Sequence, residues 1–172
     1  MAVFIALLRA VNVGGTGKLA MSDLRVLCEA AGFAAVTTYI QSGNVVFTAK
    51  LSAAKTQAKL ETALAKQLGK PVGVLLRTPD ELEATLAKNP FAKAPPNRVL
   101  VFFYDAPPKA SAFRALTIPG PEEVRVSGRE VFVHYPLGQG RSKLKLPGAE
   151  VATGRNLNTV RALAELARSI AG

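Results

Sequence analysis

The chain has 172 residues, 49% apolar and 20% charged, which is enough apolar material to bury a sizeable core and unlike the composition of disordered chains. Its 22 Lys and Arg against 12 Asp and Glu leave a formal charge of +10; this favours anionic partners such as nucleic acid, nucleotides or phosphorylated metabolites, and serves plain solubility equally well. Cys28 is the only cysteine, so an intramolecular disulfide and a cysteine-rich metal site are excluded, and no apolar run approaches the roughly 20 residues that span a bilayer.

Residues 3–9 form an apolar run of strand length. No cationic segment precedes it and Arg9 ends it, so it reads as a buried central strand rather than a signal peptide, and a cytoplasmic location is the expectation. A loop from Asn12 to Lys18 with three glycines follows. A helix is expected over 21–31, with Ser22 as its cap and Leu24, Leu27, Cys28 and Ala31 at helical spacing. Residues 35–40 and 44–48, rich in Val, Thr and aromatics, flank Gln41-Ser42-Gly43 as a β-hairpin. An amphipathic helix over 53–68 offers Ala54, Ala58, Leu60, Leu64 and Leu68 for burial, and Gly69 closes it. Residues 72–77 supply a fourth strand. Thr78-Pro79-Asp80-Glu81 then starts a helix that ends near Lys88.

The segment 89–97 is proline-rich and reads as a linker between a first half, 1–88, and a second, 98–172. In the second half, strands are expected at 98–104, 122–127 and 130–135, with a short helix at 110–115. A helical turn at 142–146, stopped by Pro147-Gly148, and a closing helix over 156–170 complete it. The fold class is α+β: two ferredoxin-like βαββαβ-type halves related by duplication, with helices packed on antiparallel sheets.

In a βαββαβ unit the sheet order is 4-1-3-2, so the loop after the first strand and the hairpin between the second and third leave the sheet at the same end. This brings Arg9, Asn12, Gly14, Gly15 and Lys18 beside Gln41, Ser42 and Asn44. Glycines that expose backbone N–H groups, ahead of a helix N-terminus, suit a phosphate or carboxylate, although turns need the same residues for themselves. The loop is no P-loop, because GxxxxGK[ST] requires glycine where Asn12 stands and a hydroxyl where Leu19 stands. A second basic turn, Gly138 to Lys143, presents Arg141 and Lys143. A third segment offers Arg155 and Asn156 ahead of the last helix, where Asn156 suits capping. The excess charge leans the same way, with nine basic and six acidic residues in 1–86 against thirteen and six in 87–172.

Conventional catalysis is thinly supplied. His134, the lone histidine, reads as a packed or edge residue and Cys28 as core; no His, Asp or Glu spacing suggests a metal, and no cofactor is implied. The third strand lacks the aromatic pattern with which RNA-recognition modules of this topology stack bases.

Leu7 to Gly15, Met21 to Arg25, Thr38 to Phe47, Asn89-Pro90-Phe91, Gly140 to Leu144 and Ala152 to Val160 together resemble the bacterial domain-of-unknown-function 1697 proteins. The resemblance implies the duplicated ferredoxin-like architecture and no established activity. Relatives usually continue the Ser-Lys-Leu segment into a longer helix, which Pro147-Gly148 truncates here, and commonly have tryptophan where Leu157 stands. Three functional readings follow: a binding protein for a phosphate-bearing anion, either nucleotide or nucleic acid; an enzyme acting on a phosphorylated or nucleotide-containing small molecule; or an adaptor for an acidic protein. None calls for a membrane.

Overall fold

The computed structural model describes residues 1–9, 19–39 and 43–171. The chain forms two compact units, residues 1–82 with 163–172, and residues 83–162.

The first unit carries β1 (Ala2–Leu8), α1 (Met21–Ala30), β2 (Ala34–Tyr39), β3 (Asn44–Ala49), α2 (Ala53–Leu68) and β4 (Val74–Arg77). Its four-stranded sheet has the order β2-β3-β1-β4, with β1 antiparallel to both β3 and β4. Phe4, Ala6 and Leu8 alternate along β1 and pack with Val45 and Phe47 of β3, Leu24 and Cys28 of α1, and Leu60 and Leu64 of α2. Phe33 stacks on Phe47 with ring centroids 4.4 Å apart and planes 7° from parallel. Ile5 and Leu7, on the opposite face of β1, are buried as well. Burial on both faces is why this strand reads as an unbroken apolar run and not as an alternation.

Local chemistry sets the helix ends. Ser52 accepts a hydrogen bond from Lys55 N at the start of α2, and Gly69, at φ +71°, takes the left-handed conformation that ends it. Next comes α3 (Pro79–Ala87), opened by a reciprocal capping box: Glu81 N donates to Thr78 Oγ1 and Thr78 N donates to Glu81 Oε1. Two expectations fail here. The cap position of α1 is Ala20 and Ser22 lies inside the helix, so no side chain caps that end. Ala54 and Ala58 are exposed on α2, and Thr56 turns inward instead.

The second unit carries β5 (Val99–Phe103), α4 (Ala110–Arg114), β6 (Glu123–Ser127), β7 (Glu130–His134) and β8 (Thr153–Asn156). Its sheet order, β6-β7-β5-β8, repeats that of the first sheet strand for strand. The final helix, α5 (Leu157–Ala171), follows β8 directly and buries Leu157, Val160, Leu163 and Ala167. Phe91, within the proline-rich 89–97 segment, is buried, with its ring 5.6 Å from that of His134 and the Arg125 guanidinium 5.9 Å above it.

The crossover from the third to the fourth strand distinguishes the two units. In the first it is α2, sixteen residues of regular helix. In the second, residues 135–152 hold only short 3₁₀ turns at Gln139–Arg141 and Ala149–Val151, and the helical turn expected at 142–146 does not form. Pro136 and Pro147 cannot donate to a helix, and Gly138 and Gly148 adopt positive φ, so the segment winds across the sheet as loop. The expectation also missed β8. Thr153-Gly154-Arg155-Asn156 is short and polar, and it becomes a strand because it pairs with β5, not because of its own propensity.

Ala35 is the one non-glycine described residue at positive φ, +51°, where the β2–β3 register shifts between Ala34 and Thr37. The left-handed region costs an L-residue about 1–2 kcal/mol, so Ala35→Gly is expected to leave stability unchanged or raise it by up to about 1 kcal/mol. Ala34→Gly, at the neighbouring exposed strand position, should lower it; urea denaturation of both variants checks the contrast.

Candidate functional site

Backbone pairing brings the two groups expected at the rim of the first sheet together as far as they are described. Leu8 N donates to Gly43 O at 2.9 Å, and Leu7 lies opposite Asn44, so the exit of β1 and the entry to β3 share one end of the sheet. Arg9 N donates to Gly73 O. The Arg9 side chain crosses Gly73 so closely that a Cβ there would overlap the guanidinium. Asn44 is fully buried and its Nδ2 donates to Tyr39 O at 3.0 Å, which closes the β2–β3 hairpin from inside. Asn12, Gly14, Gly15, Lys18, Gln41 and Ser42 lie outside the described residues.

The helix-free crossover of the second unit borders an open-sided cavity of about 290 Å³. The Pro119-Gly120-Pro121 strap and Glu122 form one wall, and Tyr135 to Gly138 with Arg141, Ser142 and Lys143 form the other. Tyr135 is anchored by its N–H to Arg98 O at 2.8 Å. Burial, then the Glu122 charge, pushes its phenol up to about 12, so at neutral pH it is a neutral hydrogen-bond donor. Gly138, at φ +88°, leaves the room that Arg98 occupies: Arg98 Nη1 would stand 2.8 Å from a Cβ at that position. Arg141 and Lys143 line the cavity from exposed positions. Ser142 Oγ donates to Glu122 Oε1 at 2.6 Å and accepts from Leu144 N at 3.1 Å, and this locks the turn against the strap. A neighbouring cavity of about 440 Å³ shares Tyr135 and Ser142 and continues along Leu144, Leu146 and Glu150. The Tyr104 hydroxyl, which donates to Pro147 O at 2.8 Å, fixes the far end of the crossover.

Two of the sequence-predicted residues lie elsewhere. Arg155 is on β8, not in a loop free to reach a partner; it is 6% exposed, and Nη1 donates to Thr153 Oγ1 and to Gly154 O. Burial lowers its guanidinium to about 10, which leaves it charged at neutral pH. Asn156 Oδ1 accepts from Thr159 N and so caps α5. His134 is half-buried, with Nδ1 3.9 Å from Glu123 Oε1. Sequence reading missed Arg98, Glu122 and Tyr135. Each adjoins a strand in the chain and reads as part of it; the path of 135–152 brings Glu122 and Tyr135 to one cavity, with Arg98 beside Gly138.

Among the described residues no group of three or more His, Cys, Asp and Glu could hold a metal ion, and no helix is long and apolar enough to cross a membrane.

Two four-stranded antiparallel sheets of identical strand order, each flanked by helices, define a duplicated ferredoxin-like α+β protein. Residues 1–132 match the family described as a protein of unknown function, DUF1697, and the chain belongs to that family. Among solved structures it is similar to a conserved bacterial protein from Streptococcus pneumoniae, with 25% identity, a TM-score of 0.79 and coverage of 96% of this chain and 98% of that one. No functionally curated protein matches the chain.

Cys28 is fully buried on α1, and burial, then the neighbouring Glu29 charge, pushes its thiol up to about 12. The thiolate is the reactive form, so the native protein should not react with a thiol reagent at pH 8 over minutes. The full single equivalent should appear on denaturation in guanidinium; rapid native labelling would contradict the core assignment.

Proposed function

We propose that the protein binds a small phosphate-bearing anion in the cavity of the second unit. The carrying observation is the convergence there of Arg141 and Lys143, with the protonated Tyr135 phenol on the wall and Arg98 packed against Gly138. Guanidinium and ammonium groups bind phosphate oxygens through charge-assisted hydrogen bonds, and a neutral phenol adds a donor without adding charge. At about 290 Å³ the space is at the small end for ligand pockets, which run from about 300 Å³ upward; it suits a phosphorylated metabolite or a single nucleotide moiety better than a nucleic-acid duplex. The net charge of +10 would steer such a ligand inward.

Calorimetric titration with ethyl phosphate at low ionic strength tests the reading. Binding is expected, weakening as salt rises, and Arg141→Ala or Lys143→Ala should each reduce affinity about tenfold, the scale of one lost charge-assisted hydrogen bond. An absence of binding at low salt, or affinity unchanged in the double variant, would overturn it.

A further inference from the structure

The cavity holds one group that anion binding does not use. Glu122 is 8% exposed, and its Oε1 is taken by Ser142. Its Oε2 is buried with no hydrogen-bond partner among the described residues. A buried carboxylate oxygen without a donor is costly, and native structures seldom keep one unless something else supplies the donor. Local geometry shows what lies over this oxygen. A Cβ on Gly120 would lie 2.7 Å from Oε2, so the strap residue over this oxygen is the one residue type with no side chain to cover it. The strap itself is exposed and lines the cavity, and a guest reaches Oε2, buried beneath it, only with a shift of residues 119–121.

Resting on the reading above, we propose that the ligand is zwitterionic: a phosphomonoester that also carries a primary ammonium group, its phosphate held by Arg141 and Lys143 and its ammonium N–H donated to Glu122 Oε2. The arrangement discriminates on chemistry that net charge opposes. Ethyl phosphate and O-phosphoethanolamine share the phosphate and the two-carbon chain, but the first carries the greater negative charge, so a merely basic surface prefers it. A cavity with a carboxylate acceptor inside prefers the second.

Parallel titrations of the full chain with these two compounds at low salt decide between them. The wild type is expected to bind O-phosphoethanolamine at least about tenfold tighter, as a charge-assisted hydrogen bond supplies. Glu122→Gln keeps an acceptor for Ser142 and is expected to remove the preference while retaining affinity for ethyl phosphate. Gly120→Ala, which crowds Oε2, should reduce the preference too. Equal affinities, a preference for ethyl phosphate, or a preference that persists in Glu122→Gln would each overturn the proposal and leave the anion reading standing. If neither compound binds, both readings fall together. The wild-type comparison needs no variant, so it decides the matter even if Glu122→Gln proves unstable by thermal melt.

Discussion

Everything in each unit depends on one central strand paired on both edges. Because β1 is hydrogen-bonded to β3 on one side and to β4 on the other, its backbone groups are satisfied in the sheet and its side chains can be apolar on both faces without cost. The same holds for β5 between β7 and β8. With the central strand fixed, the right-handed crossover places the second strand, and the third can only enter between them. Strand order, the shared rim of β1 and the β2–β3 hairpin, and the parallel relation of third and fourth strands all follow.

That last relation sets up the candidate site. Two parallel strands separated by a central one require a long crossover, and the chain meets the requirement in two ways. In the first unit α2 satisfies its own backbone and packs Leu60 and Leu64 onto the sheet. In the second, prolines and left-handed glycines forbid the helix, so the segment is held by side chains instead: Tyr104 on Pro147, Ser142 on Glu122, Leu146 against Val131 and Val133. A helix presents a filled cylinder to the sheet, whereas this winding path leaves space between itself and the strap. The cavity is therefore a consequence of departing from the internal repeat.

What could be read in the sequence follows the same division. The strands of the first unit, α2 with its Gly69 end, and the Thr78 cap are legible because the signals are local: periodicity, caps and turns act within a few residues. β8 was not legible, since Gly154 and Asn156 carry no strand propensity and only pairing with β5 makes them one. Arg155 read as available because a strand was not expected there, and the strand buries it. Asn44 read as a rim residue because topology alone cannot tell whether an amide faces outward or closes its own hairpin. The glycine-rich basic turn drew attention to Arg141 and Lys143, which line the cavity. Glu122 and Tyr135 were not, because nothing near them in the chain announces that residues 119–121 and 135–138 face one another.

A crossover built from side-chain ties in place of helical hydrogen bonds also has its own dynamic range. Apart from Tyr135 N, its backbone hydrogen bonds lie within short turns, and segments of that kind open at lower free-energy cost than paired strands. Occupancy of the cavity would then register as slower amide exchange confined to this stretch and the strap. The sheet would serve as an internal reference that does not change, and the winding segment would convert ligand capture into local order.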